Sequence, residues 1–397
     1  MLHVRSIALI ATLLGALLAA APAAADDATC SYTGATRTVS VVITPNANSV
    51  PTLDRDAAGN IRVLDAEAGL VPCGGTVSDT DTIVITNAST TVPVNVFYVN
   101  FKLPLAPGFT DEPGSSDEIE LAVDFGPAGG RVGLDVTYST SDPGVSMNIA
   151  MGGNVVNLNA SEADGVDADL TLSNVTSLII YGSHFNDSIV GSGGTGTPAV
   201  PFQLPFEASA DLGDDLIVGG DGNDGRLIGD DGNDTIFGGN GNDTIWPGDG
   251  DDVVDAGAGD DLVTDLVGPS GSVPTNGDDR ILGGPGNDTV HALDGADVIL
   301  GGPGNDTIWP GLGDDRAVGG PGRDRLRESD GDDVAVGGGG KDWVEGGAGR
   351  DRLRGGGGPD RLMGGTGNDR LHGGPSRDRC DGGPGNDQFV SCEVTTP

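Results

Sequence analysis

The sequence predicts an all-β protein whose C-terminal half is an array of nine-residue repeats. Three observations carry this reading. Residues 229–390 divide into 18 consecutive blocks of nine with no slip in register. Most blocks carry one large apolar residue, at their eighth position. No helical periodicity follows the first 25 residues, whereas short β-branched stretches recur between Gly, Pro, Asn and Asp clusters.

At the N-terminus, His3 and Arg5 precede an apolar stretch over 7–21, and Ala23, Ala24 and Ala25 offer a small-residue cleavage pattern before Asp26. The stretch falls short of the ~20 residues needed to span a bilayer. Residues 1–25 are therefore read as a cleaved export signal, and the mature protein as secreted and extracellular with no membrane span. The four cysteines fall into two sequence-local pairs, Cys30/Cys73 and Cys380/Cys392, with no C-x-x-C spacing or nearby histidine to suggest a metal. In an exported chain they predict two disulfides.

Residues 26–181 are read as an all-β N-terminal domain, with strands over 38–44, 82–86, 94–103, 118–125, 132–138, 146–151 and 177–181. An antiparallel sandwich and an irregular β-solenoid both fit. The solenoid is preferred because 170–190 grades into repeat-like sequence without a break. Residues 182–209 are assigned to a decayed repeat (182–190) and a linker containing Pro198, Pro201 and Pro205. The repeat region proper is 210–390, and 391–397 form a tail whose Cys392 caps the end.

Within the 18 blocks, position six is Asp in 17 and position four is Gly in 17. Glycine permits left-handed backbone and close approach of carbonyl groups. A tight turn of this composition aims several carbonyl oxygens and one carboxylate at a common point. Oxygen-only ligation of that kind suits Ca²⁺. Zinc wants His or Cys, and the blocks hold only His291 and His372, both at position nine.

These blocks, for example Gly238-Gly239-Asn240-Gly241-Asn242-Asp243, resemble the repeats-in-toxin (RTX), or haemolysin-type, calcium-binding repeats. The resemblance implies a parallel β-roll with calcium ions held between turns two blocks apart, roughly a dozen or more in all. It further implies that the side-chain ligands are Asp215, Asp224, Asp234, Asp243, Asp252, Asp261, Asp279, Asp288, Asp297, Asp306, Asp315, Asp324, Asp333, Asp342, Asp351, Asp360, Asp369, Asp378 and Asp387. Members of the family are usually exported by an uncleaved C-terminal signal, from which the leader here departs.

Block 265–273 breaks the pattern, with Ser270 and Ser272 in the ligand and core positions; it is read as either a degenerate coil or a surface excursion, and is expected to interrupt one row of sites. Ala317 and Ala335 thin the core. The blocks beginning at Ala292, Pro310 and Glu328 lack the leading double glycine that their neighbours at 283, 301, 319 and 337 keep, which suggests two edges of unequal quality. Residues 210–322 carry 24 acids and three bases, against 14 and 11 in 323–397. Fewer or weaker ions, with Arg–Asp pairing as a partial substitute, are expected toward the C-terminus.

A formal charge of −40, from 60 acidic and 20 basic residues, makes nucleic acid an unfavourable partner and cations the natural one. Uncompensated, such charge and one apolar residue per nine cannot offset chain entropy, so folding on calcium binding is expected. No catalytic constellation is evident: His184, His291 and His372 each lie in or beside repeat turns, and neither H-E-x-x-H nor G-x-S-x-G occurs. No enzyme is expected. A surface spacer or adhesin and an unrecognised N-terminal hydrolase are the rival readings, and a cell-surface or polysaccharide partner stays open.

Overall fold

The computed structural model describes strands between residues 29 and 173 and residues 177–182, 187–191, 204–264 and 277–396. Residues 1–25, the expected export signal, lie outside them. So do 192–203, most of the expected linker. The described residues contain strands and no helix.

Strands that follow one another in the chain alternate between two facing sheets, so one full turn takes two blocks. In the first sheet, Leu216–Val218, Thr235–Asn240, Val253–Ala258 and Arg280–Leu282 lead through successive parallel neighbours to Gln388–Val390. In the second, Arg226–Asp231, Thr244–Asp249, Leu262–Thr264 and Thr289–Asp294 lead likewise to Val394–Thr396. Side chains alternate across a strand, so a three-residue strand sends its middle residue inward. The register stacks these residues directly: Ile236 on Val254, Ile245 on Val263, Ile308 on Leu326. Each is fully buried, as are Ala317 and Ala335, which pair with one another in the first sheet.

The N-terminal strands continue the same scheme. Thr38–Ile43 pairs in parallel with Thr82–Asn87, and that strand with Glu120–Asp124. On the other side, Val94–Asn100, Gly130–Asp135 and Ser177–Tyr181 are successive parallel neighbours leading into Phe206–Ser209. This is the pairing of a solenoid rather than of an antiparallel sandwich. Val39, Ile83, Val132, Leu178 and Phe206 join the repeat residues in one hydrophobic core.

Antiparallel strands close the N-terminal end. Thr29–Thr33 lies outermost in the first sheet, against Thr38–Ile43. Gly69–Thr76, Asn60–Asp65 and Thr52–Arg55 form an antiparallel meander at the edge of the second. Cys30 and Cys73, on the two outermost strands, are bridged and so tie the sheets together where the solenoid begins. The second predicted bridge, Cys380–Cys392, fastens a fully buried inward residue to the last turn.

Block 265–273 does not add a turn. Val254 pairs with Ile281 and Val263 with Val290, 27 residues on instead of 18. The expectation that this block interrupts a row of sites is thereby corrected. One block is left out of the ladder, and both rows run on past it.

Candidate metal centre

The position-six aspartates line the two edges where the sheets meet. Asp215, Asp234, Asp252, Asp279, Asp297, Asp315, Asp333, Asp351, Asp369 and Asp387 form one row. Asp224, Asp243, Asp261, Asp288, Asp306, Asp324, Asp342, Asp360 and Asp378 form the other. In both, the amide N–H of each aspartate donates to Oδ1 of the next in its row, at 2.7–3.0 Å. One carboxylate oxygen per block therefore serves as a strut between turns, and it fixes the side chain's direction.

The second oxygen is what singles these residues out. In 17 of the 19 aspartates Oδ2 is buried and accepts no hydrogen bond. An unpaired buried carboxylate oxygen is costly, and in native proteins calls for a partner such as an ion. The exceptions have local reasons. Asp224 sits in the block with one inserted residue, and its Oδ2 accepts from the Gly220 amide at 3.0 Å. Asp387 is half-buried in the last turn.

Backbone oxygens approach the same corner. A Cβ placed on Gly346, at block position one, would lie 2.5 Å from Asp351 Oδ2 and 2.6 Å from the carbonyl oxygen of Gly364, one turn further on. A small residue is therefore favoured at position one, because a free carboxylate oxygen and a carbonyl from successive turns crowd it. Hard oxygen donors from two adjacent turns, with carboxylate charge, are what Ca²⁺ takes at 2.3–2.6 Å. The donor set fits that ion.

Desolvation on burial pushes the carboxyls up, against the lowering effect of the backbone hydrogen bond. Asp306 and Asp315 rise to about 6, Asp288 and Asp333 to about 7, and Asp215 and Asp297 to about 8. For Asp297 the neighbouring Asp279 and Asp315 add repulsion to that burial. Without a cation, the fold holds these groups above the ordinary carboxylate range.

Sequence reading passed over two acidic residues here. Asp187, 4% exposed, begins the first row: its amide donates to Asp215 Oδ1. Its signal was present in the Asn186-Asp187 pair of the block at 182–190. Glu328 occupies a position-one site, only 3% exposed, and burial followed by repulsion from Asp333 raises it to about 9. Nothing in the nine-residue pattern assigns a carboxylate to that position.

The expected Arg–Asp pairing toward the C-terminus is replaced by another arrangement. Arg327 and Arg377 pair with Glu345 and Glu393, at 3.7 and 2.8 Å, not with turn aspartates. Arg323 and Arg350 instead interrupt a second, exposed ladder, which resumes beyond Arg350 where the Asn386 amide donates to Asn368. In that ladder a position-five amide donates to the Asn or Asp side chain one turn earlier, as Arg323 does to Asn305 and Arg350 to Asp332. An arginine donates through its amide but offers no side-chain oxygen to the next turn, so the outer strut is missing there. The tryptophans pack on the roll surface: Trp309 stacks on His291 at 4.1 Å, and Arg325 and Arg361 flank Trp343 at 4.4 and 5.1 Å.

A search of curated proteins finds no match to the chain. The family profile described as RTX calcium-binding nonapeptide repeat (4 copies) matches residues 208–225, 228–263, 274–308, 309–327, 329–362 and 354–389. The gap between 263 and 274 in those matches coincides with the block that the ladder leaves out. Residues 208–389 are thus a run of RTX calcium-binding nonapeptide repeats wound as a parallel β-roll.

Proposed function

We propose that this is a secreted protein whose roll folds when it meets extracellular calcium, and whose role is binding rather than catalysis. The observation that carries the reading is the 17 buried Asp Oδ2 atoms without a hydrogen bond. That many desolvated carboxylates, in a chain of net charge −40, oppose the compact state unless cations offset them. Calcium that binds the roll but not the unfolded chain stabilises it by mass action. The position-six aspartates supply the side-chain ligands in this reading. Export is supported by the leader-like first 25 residues and by the two disulfides, which suit an oxidising compartment. Extracellular calcium modules bind at about 10⁻⁴–10⁻³ M, so the chain would stay unfolded where calcium is scarce.

The test is circular dichroism with sedimentation of the mature chain, titrated first with Ca²⁺ and then with Mg²⁺. Compaction and new β signal with calcium alone support the reading. A folded, unchanged spectrum at neutral pH without metal overturns calcium-driven folding.

A second reading is favoured by the unbroken parallel pairing of the second sheet, from Val94–Asn100 through to Val394–Thr396. One continuous solenoid suits a spacer at a cell surface, and cell fractionation would distinguish it from a freely diffusing protein.

A further inference from the structure

Block position one is where the roll keeps its side chains smallest. Every block that takes part in the ladder from 210 onward has Gly, Ala or Pro there, except the one that begins with Glu328. Its side chain is 3% exposed, and neither carboxylate oxygen accepts a hydrogen bond. One oxygen each from Asp315, Glu328 and Asp333 lies within 4.8 Å of the other two. The Oδ2 atoms of both aspartates are likewise buried and unpartnered. The blocks supplying those aspartates are the ones whose inward residue is alanine, Ala317 and Ala335, where most others have Ile, Val or Leu. Arg327, next in the chain, turns outward to Glu345 and brings no positive charge inside.

We propose that Asp315, Glu328 and Asp333 form a single three-carboxylate cation site, unlike the other turns, which takes one calcium ion before its neighbours fill. This rests on calcium entering the turns as described above. Two physical points carry it. Three buried carboxylates without hydrogen bonds repel one another, and a well-bound cation is what makes such burial tolerable. Their spacing also matches the ion: ligands on opposite sides of a calcium lie about twice 2.3–2.6 Å apart. Affinity in oxygen-ligated calcium sites rises with ligand charge, and this site has one more side-chain carboxylate than the turns around it.

The experiment is calcium binding to the full chain by equilibrium dialysis, comparing wild type with Glu328→Gln and Glu328→Gly. Glutamine keeps the volume without the charge, and glycine restores the residue common at position one. Circular dichroism at saturating calcium checks that each variant is folded. The expected wild-type isotherm has one ion per chain bound at a calcium concentration roughly tenfold or more below the main phase. Both variants lose the tight phase, with no ion bound below the main phase, and leave the midpoint of the main phase unmoved. The proposal is overturned if the variants keep the tight ion, or if wild type shows only the main phase. It is equally overturned if Glu328→Gly gains an ion, because Glu328 would then be occupying a cation's place. No calcium bound to wild type at all would overturn the calcium reading itself.

Discussion

Asp252 and Asp279 stand 27 residues apart in the chain, yet the Asp252 amide donates directly to the Asp279 carboxylate at 2.9 Å. Asp261 and Asp288 are joined in the same way at 3.0 Å. Both rows thus run on directly across the sequence interval that holds the block at 265–273. Deleting 265–273 should leave the number of bound calcium ions and the midpoint of folding unchanged. Equilibrium dialysis on the deletion variant checks this, and a loss of two or more ions would show that the block supports the neighbouring turns.

Each turn aspartate has two separable tasks, which substitutions at Asp306 divide. Its Oδ1 accepts from the Asp288 amide at 3.0 Å, while its Oδ2 has no protein partner. Asp306→Asn keeps a strut acceptor and removes the charge, so it should raise the calcium midpoint with little other effect. Asp306→Ala removes the strut as well and leaves a buried amide unpaired. It should cost about 1–3 kcal/mol more, read by denaturant melts in saturating calcium. Equal behaviour of the two variants would mean that the strut contributes nothing.

Metal-free protein should respond to pH in the sense opposite to ordinary acid denaturation. Turn carboxyls such as Asp306, at about 6, and Asp297, at about 8, stand in the fold above the ~3.9 of an unfolded aspartate. Their protonated forms therefore favour the roll. That contribution is fully present below about pH 4 and is lost as pH rises through 6–8. Protein dialysed free of metal should show more β signal near pH 4 than at pH 8, where calcium restores it. A spectrum that loses β structure on acidification without metal would contradict this.

The C-terminal bridge closes the roll over its last turns. Cys380 fills the inward position stacked on Leu362, and its partner Cys392 follows the last strand of the first sheet. Cys392→Ser leaves the core residue in place and opens the bridge. Loop-entropy arithmetic for this separation gives a loss of roughly 3 kcal/mol, which thermal melts of the calcium-loaded protein would reveal. No change in melting would place the stability of that end in the stacked side chains alone.

What was legible in the sequence follows from how each feature is encoded. The repeat region declared itself because one strand, one turn and one inward residue recur at fixed places, as in Ile236, Ile245 and Val254. The strands over 38–43, 82–87 and 177–181 were readable from their β-branched runs. Thr52–Arg55, Asn60–Asp65 and Gly69–Thr76 were not. They are mixed in polarity, the last is interrupted by Pro72, Gly74 and Gly75, and they are held by antiparallel pairing and the Cys30–Cys73 bridge. The position-six aspartates could be named from spacing alone, but their division of labour could not, since Oδ1 and Oδ2 differ only in what the next turn presents. Glu328 was invisible as a site residue because only Asp333 shares its block, while Asp315 belongs to the turn stacked before it.

One block carries the chain half-way round the roll, and two carry it back to the same edge. The gain or loss of a single block would therefore move every later residue to the opposite face. Trp309 and Arg325 would leave their sheet for the other, while the aspartate struts, alike on both edges, would re-form. Duplication in pairs keeps the outer surface as it was. Duplication singly inverts it while sparing the scaffold, so the repeat count can drift by odd steps only where the two faces need not differ, or where the ladder passes over the odd block, as it does between Val263 and Val290.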